Sequence, residues 1–271
     1  MRIAVAQITT GADVQKNLKL VAERTAEAAE QGAEVIVFPE AAQRAFGNPL
    51  GEIAEPLNGP FARRVEEIAE EHGVVVVVGM FTPGQPSEEG RDRVANTLLI
   101  SDGEQLTLGY EKIHLYDAFG FQESKTVQPG EDPLTARIGG ATVGFATCYD
   151  VRFPQLFQHY ARQGAAVTIL PASWQSGPGK IAQWKTLVTA RALDSTQFII
   201  ACGQALPAGT DPEELAPAPT GVGHSLVVSP TGQILAEAGE GPELLVVDID
   251  PSDVEEARQK IPVLENARPM G

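Results

Sequence analysis

The longest apolar stretch of the chain, residues 74–81, is a nearly unbroken run of β-branched residues. It is too short to cross a bilayer and too uniformly apolar for a strand with one face in water. It reads as a central strand covered on both faces, so the fold must supply a layer on either side. Residues 2–8 and 35–38 read as further strands. Between them Val14, Leu18, Val21, Thr25 and Ala28 recur at helical spacing, and Gly32 is a natural stop. Asn58-Gly59-Pro60 opens a second helix, with Phe61, Val65 and Ile68 on one face and Gly73 at its end. Residues 94–100 and 105–110 form a hairpin around Ser101-Asp102-Gly103.

The second half repeats this alternation. Strands are read at residues 141–147, 167–170 and 198–202, with helices at 153–163 and 180–194 between them. Three more strands follow at 225–229, 234–237 and 244–249. Residues 113–133 show no period and read as a long loop, and 206–220, rich in Pro, Ala and Glu, reads as an insertion. That insertion covers a site or lies free on the surface. The tail from Asp253 holds one short helix. Several strands adjoin without a helix between them, which favours a two-sheet layered α/β protein over a Rossmann fold. No repeat or linker divides residues 1–271, so one domain is expected.

Composition narrows the function. The 36 acidic against 20 basic residues leave a formal charge of −16, which opposes binding to nucleic acid or an anionic membrane. Two cysteines exclude a disulfide framework, and four histidines without ligand spacing make a zinc site unexpected. No glycine-rich phosphate loop follows any strand. The first residues run directly into a strand with no secretory pattern, so a cytoplasmic location is expected.

Ligands of α/β sheets bind beyond the carboxyl ends of strands. Three such ends carry reactive groups: Glu40 after residues 35–38, Lys112 after 105–110 and Cys148 after 141–147. Singly, each has an ordinary explanation. A cysteine there is commonly a buried hydrophobe, and Glu and Lys are commonly solvated. Together they suit one reaction. A thiol needs a base to become a nucleophile, a carboxylate can take its proton, and an ammonium can stabilise an oxyanion.

The segments Val37-Phe38-Pro39-Glu40, Tyr110-Glu111-Lys112-Ile113-His114-Leu115 and Thr147-Cys148-Tyr149-Asp150-Val151-Arg152-Phe153-Pro154 resemble, in order, the three signature regions of the carbon–nitrogen hydrolase (nitrilase) superfamily. The likeness extends to Gly223-His224-Ser225 and Ile261-Pro262-Val263. It implies a four-layer αββα sandwich, often paired into dimers, with residues 253–271 a candidate interface segment. It also implies hydrolysis of a non-peptide amide or nitrile through a thioester, without metal or organic cofactor. Carried over, the roles make Cys148 the nucleophile, Glu40 the general base, and Lys112 with the Tyr149 backbone N–H the oxyanion donors. Glu123, in Phe121-Gln122-Glu123-Ser124, resembles a second family carboxylate that orients the lysine and the substrate.

The run from Cys148 to Phe153 is most similar to the Nit-type amidases, a branch that includes ω-amidase and the amidase acting on deaminated glutathione. Those substrates carry a carboxylate. Arg152 is either its clamp or a structural arginine capping the site from outside. Trp174 is either a pocket wall or core packing. Gln183 stands where the family often has a histidine before Trp184. His114 and His224 are read as structural groups, because the Glu–Lys–Cys set needs no histidine. The competing functions are a nitrilase or N-carbamoyl amidase with the same residues, a papain-like Cys–His hydrolase, and a non-catalytic Nit-like interaction protein. The expected partners are a small-molecule amide and a second copy of the chain.

Overall fold

The structure, a computed structural model, describes residues 1–268. In chain order the first half runs β1 (Arg2–Gln7), α1 (Val14–Glu30), β2 (Val35–Val37), α2 (Pro60–His72), β3 (Val75–Pro83), β4 (Val94–Ser101) and β5 (Thr107–Glu111). The short strands β6 (Asp117–Ala118), β7 (Phe121–Gln122) and β8 (Val127–Gln128) follow. The second half runs β9 (Thr135–Ile138), β10 (Ala141–Phe145), α3 (Pro154–Arg162), β11 (Val167–Ala172), α4 (Lys180–Ser195), β12 (Phe198–Gly203), β13 (Leu226–Val228), β14 (Ile234–Glu237), β15 (Glu243–Asp248), α5 (Asp253–Lys260) and α6 (Val263–Asn266).

The strands form two main sheets. One has the order β15-β1-β2-β3-β4-β5, with β8 added beside β4, and the other has β14-β13-β12-β11-β10-β9. The centres, β1-β2-β3 and β10-β11-β12, are parallel. Antiparallel strands flank both centres, and β8 joins β4 in parallel.

Side-chain alternation along the strands builds the layers. From one face of the first sheet, Ile3, Val5, Val37 and Val77 meet Phe145, Ile169, Ile200 and Val227 of the second. The opposite face, with Ala4, Ala6, Ile36 and Val76, packs on Val21 of α1 and Val65 and Ile68 of α2. Leu170, Ile199 and Leu226 take Phe157 of α3 and Trp184 and Val188 of α4 on the far side of the second sheet. The result is a four-layer αββα sandwich. Local chemistry sets the helix ends. Asp13 caps α1 by accepting from the N–H groups of Gln15 and Lys16, and Gly73 closes α2 in the left-handed region at φ 63°.

Three stretches differ from expectation, the first being the tail, where α6 follows the one expected helix. Residues 113–133 are not one structureless loop: β6 and β7 pair as a small ribbon, a 3-10 turn covers Glu123–Lys125, and β8 joins the first sheet. β9 is absent from the sequence reading because Thr135-Ala136-Arg137-Ile138 is only partly buried at a sheet edge, where the apolar pattern is weak. Among the described residues no helix is long and apolar enough to cross a membrane. The tail helix α5 buries Val254 and Ala257, and Arg258 donates to the Ala165 carbonyl at 2.9 Å. Residues 269–271 of the expected interface segment lie outside the described residues.

Candidate active site

Glu40 follows β2 in a turn held against β3. Phe38 N–H donates to Val77 O, and Gln43 N–H donates to Gly79 O at 2.9 Å. The turn lies so close to β3 that a Cβ on Gly79 would sit 2.7 Å from both Ala41 N and Pro39 O. Ala41 takes φ 57°, a left-handed conformation unusual for alanine and a sign of local constraint beside the carboxylate.

Lys112 leaves β5, where its N–H donates to the Asn96 carbonyl of β4 at 2.8 Å. Its Nζ donates to Glu40 Oε1 at 2.9 Å and to Glu123 Oε2 at 2.8 Å. Asn96 Nδ2 makes a second bridge between the same two carboxylates, at 2.8 and 3.1 Å. Ser173 N–H completes Glu40 by donating to Oε2 at 2.7 Å, and Tyr116 N–H does the same for Glu123 Oε2 at 2.7 Å. All four side chains are buried.

Cys148 opens a 3-10 turn, Cys148–Arg152, directly after β10. It too is left-handed, at φ 46°. Asp150 holds this turn: its Oδ2 accepts from Thr147 N–H at 2.8 Å, and its own N–H donates to Thr147 O at 3.0 Å. The thiol is buried, with Ser173 O 3.9 Å from Sγ.

The charges of this cluster are interdependent. Burial raises the Glu40 pKa, and Lys112 only partly offsets it. Burial pushes the Lys112 ammonium down, but Glu123 and then Glu40 more than reverse this, so its pKa stands well above the ordinary lysine value. Burial, followed by the negative charge of Glu40, holds the Cys148 thiol well above its usual value. The thiol is therefore protonated at rest, and to act as a nucleophile it would have to hand its proton to a base.

A narrow cleft includes Glu40, Lys112, Glu123 and Cys148 among its lining residues, together with Tyr116, Trp174 and Lys180. Trp174 also donates its indole N–H to the Lys180 carbonyl at 3.0 Å and lies 5.2 Å from the Trp184 ring. Tyr149 and Arg152 do not line the cleft with their side chains. The Tyr149 ring packs between Tyr116 and Phe153. Arg152 donates to Gln183 at 2.8 Å, and its guanidinium carbon lies 5.4 Å from the Trp174 ring centroid. His114 is tied to Asp150 at 2.7 Å and stacks on Phe153, while His224 faces Glu237 at 3.2 Å. Neither histidine lines the cleft.

The segment 206–220 lies over this end of the molecule. Ser173 Oγ donates to Pro219 O at 2.7 Å, Gln175 Nε2 to Ala216 O at 2.7 Å, and Ser176 Oγ to Glu214 O at 2.7 Å. Of the two readings of that insertion, the covering one describes its position.

Several site residues escaped the sequence reading, Tyr116 in the aperiodic stretch 113–133 among them. Asn96 carried a usable signal, a polar amide inside the otherwise buried strand Val94–Ser101. Lys180 carried a weaker one, a cation in the first turn of α4 where the helix dipole disfavours it. Ser173 acts through its backbone and carried none.

The family model described as carbon-nitrogen hydrolase matches residues 2–259. The chain is 49% identical over 271 residues to Hydrolase Rv0480c of Mycobacterium tuberculosis, covering 98% of this chain and 95% of that one. It is 33% identical over 273 residues to the deaminated glutathione amidase of Escherichia coli O157:H7, covering 99% and 97%. The crystallised NitN amidase of Nesterenkonia superposes with a TM-score of 0.77 at 30% identity, over 99% of this chain and 96% of that one.

Proposed function

The chain belongs to the carbon–nitrogen hydrolase family, and from that premise we propose that it is a cysteine-dependent amidase, acting on a small carboxylate-bearing ω-amide and releasing ammonia or an amine. One observation carries the reading. Lys112 Nζ bridges Glu40 and Glu123 at 2.9 and 2.8 Å in the cleft that Cys148 also lines.

The chemistry runs in two halves. Cys148 Sγ attacks the amide carbon while its proton passes to Glu40. The oxyanion is stabilised by Lys112 Nζ and the Tyr149 N–H. Glu40 then delivers the proton to the departing nitrogen, the C–N bond breaks, and ammonia leaves a thioester on Cys148. Water attacks the thioester, Glu40 takes a proton from it, and that proton returns to sulfur as the acid departs. Glu123 holds Lys112 and keeps its charge. Trp174 forms a wall of the cleft.

The same residues would serve a nitrilase or an N-carbamoyl amidase. The amidase reading is favoured because relatives matching nearly the whole chain are named amidases. A papain-like mechanism is disfavoured, since His114 and His224 are both engaged elsewhere. A purely non-catalytic role is disfavoured by the intact cluster. The inner core shared by both sheets supports one domain, and family likeness supports a homodimer.

A product screen tests the proposal, following ammonia from α-ketoglutaramate, succinamate, N-carbamoyl amino acids and simple nitriles and the freed amine from deaminated glutathione. Release from an ω-amide that disappears in Cys148→Ala supports it. Turnover confined to nitriles or carbamoyl compounds contradicts the substrate class.

A further inference from the structure

Lys112 and Lys180 are both buried lysines lining one cleft, yet only one has a counter-ion. Lys112 has two carboxylates. Lys180 is only 3% exposed, and among the described residues no carboxylate oxygen lies within ion-pair distance of its Nζ. Its polar neighbour is the Tyr116 hydroxyl at 3.1 Å, and the Phe119 ring centroid lies 3.6 Å away. A buried cation without an anion is costly. Burial and the positive charge of Arg152 both lower the Lys180 pKa, and an anion placed at Nζ would offset that cost.

The position is built rather than incidental. The Lys180 carbonyl receives the Trp174 indole N–H at 3.0 Å, and Lys180 N–H donates to Gly177 O at 3.1 Å. Gly177 N–H in turn donates to Pro212 O at 2.8 Å, tying this corner to the covering segment. The catalytic cluster of two carboxylates and one ammonium would repel an anionic substrate, so a separate positive centre in the same cleft is required.

We propose that Lys180, with the Tyr116 hydroxyl beside it, is the receptor for the substrate's carboxylate, setting the cleft's preference for short acid amides over neutral ones. This rests on the amidase reading above. It places the anchor on the lysine that lines the cleft, while Arg152, held by Gln183, contributes charge from behind Trp174.

The test uses succinamate and butyramide as a charged and a neutral amide, with Lys180→Met, Lys180→Arg and Arg152→Met. Lys180→Met is expected to raise KM for succinamate about 10- to 100-fold, the loss of one charge-assisted hydrogen bond. The rise in KM for butyramide should be at least about tenfold smaller than for succinamate, and Lys180→Arg should restore most of the succinamate affinity. Equal effects on both amides, or a selective loss with Arg152→Met but not Lys180→Met, would overturn the assignment.

Calorimetric titration of Cys148→Ala with succinamate separates this claim from the amidase reading. Binding that Lys180→Met weakens supports the receptor even if the wild-type protein releases no ammonia. Binding that is undetectable, or that Lys180→Met leaves unchanged, overturns it even if ammonia is released.

Discussion

The Tyr110 hydroxyl donates to Asp150 Oδ2 at 2.7 Å, joining the strand that delivers Lys112 to the turn that delivers Cys148. The other Asp150 oxygen accepts from His114 N–H at 3.0 Å, just beyond Lys112. One buried carboxylate thus holds both flanks of the lysine and the elbow of the cysteine. Asp150→Ala leaves these donors orphaned. It is expected to cost about 3 kcal/mol in urea denaturation, with a lower kcat in the folded fraction. Tyr110→Phe removes one bond and is expected to cost about 1–2 kcal/mol.

Glu123→Gln keeps the shape of the side chain and removes the charge that supports Lys112. Its expected effect is a fall in kcat of about 10²-fold with KM changed only a few-fold, as for a weakened oxyanion donor. Steady-state ammonia release measures both. A large KM change with kcat intact would place Glu123 in substrate binding instead.

The acid limb of the kcat/KM profile is expected above 4.5, the ordinary Glu value, because burial raises the Glu40 pKa. The sign follows from the role: Glu40 must be ionised to accept the thiol proton, so activity falls as pH drops through the raised pKa. With two carboxylates on one lysine, the apparent value belongs to the cluster. Loss of charge on Lys112 is expected only well above the ordinary lysine range. A limb at or below 4.5 would remove Glu40 as the base.

Gly79→Ala tests the turn that carries Glu40. The added Cβ would meet backbone atoms of Pro39 and Ala41 at 2.7 Å, which cannot rotate away. A cost of about 1–3 kcal/mol is expected, with lowered kcat, although residue 79 touches no substrate. Thermal denaturation and ammonia release report the two effects.

Much of the architecture was legible because buried strands and amphipathic helices write their periods plainly: residues 74–81 and the Val21–Thr25–Ala28 face are examples. The edge strand β9 was not, since half-exposed residues carry little apolar pattern. Residues 113–133 hid their structure because two-residue strands have no period at all. At the site, Glu40, Lys112 and Cys148 were visible as polar residues at strand ends, and Glu123 through family resemblance. Asn96 showed only as an amide inside a buried strand and Lys180 only as a cation at a helix start, because their partners, Glu40 and Glu123 for the one and Tyr116 for the other, come from distant parts of the chain. Arg152, which the sequence places four residues past the cysteine, is turned instead toward Gln183.

The most direct measurement is intact-protein and peptide mass spectrometry after acid quench during turnover of succinamate. The mechanism requires an adduct equal to the substrate less ammonia, on the peptide holding Cys148, and absent from Cys148→Ala. Turnover with no such adduct on Cys148, or with undiminished ammonia release by Cys148→Ala, would contradict it.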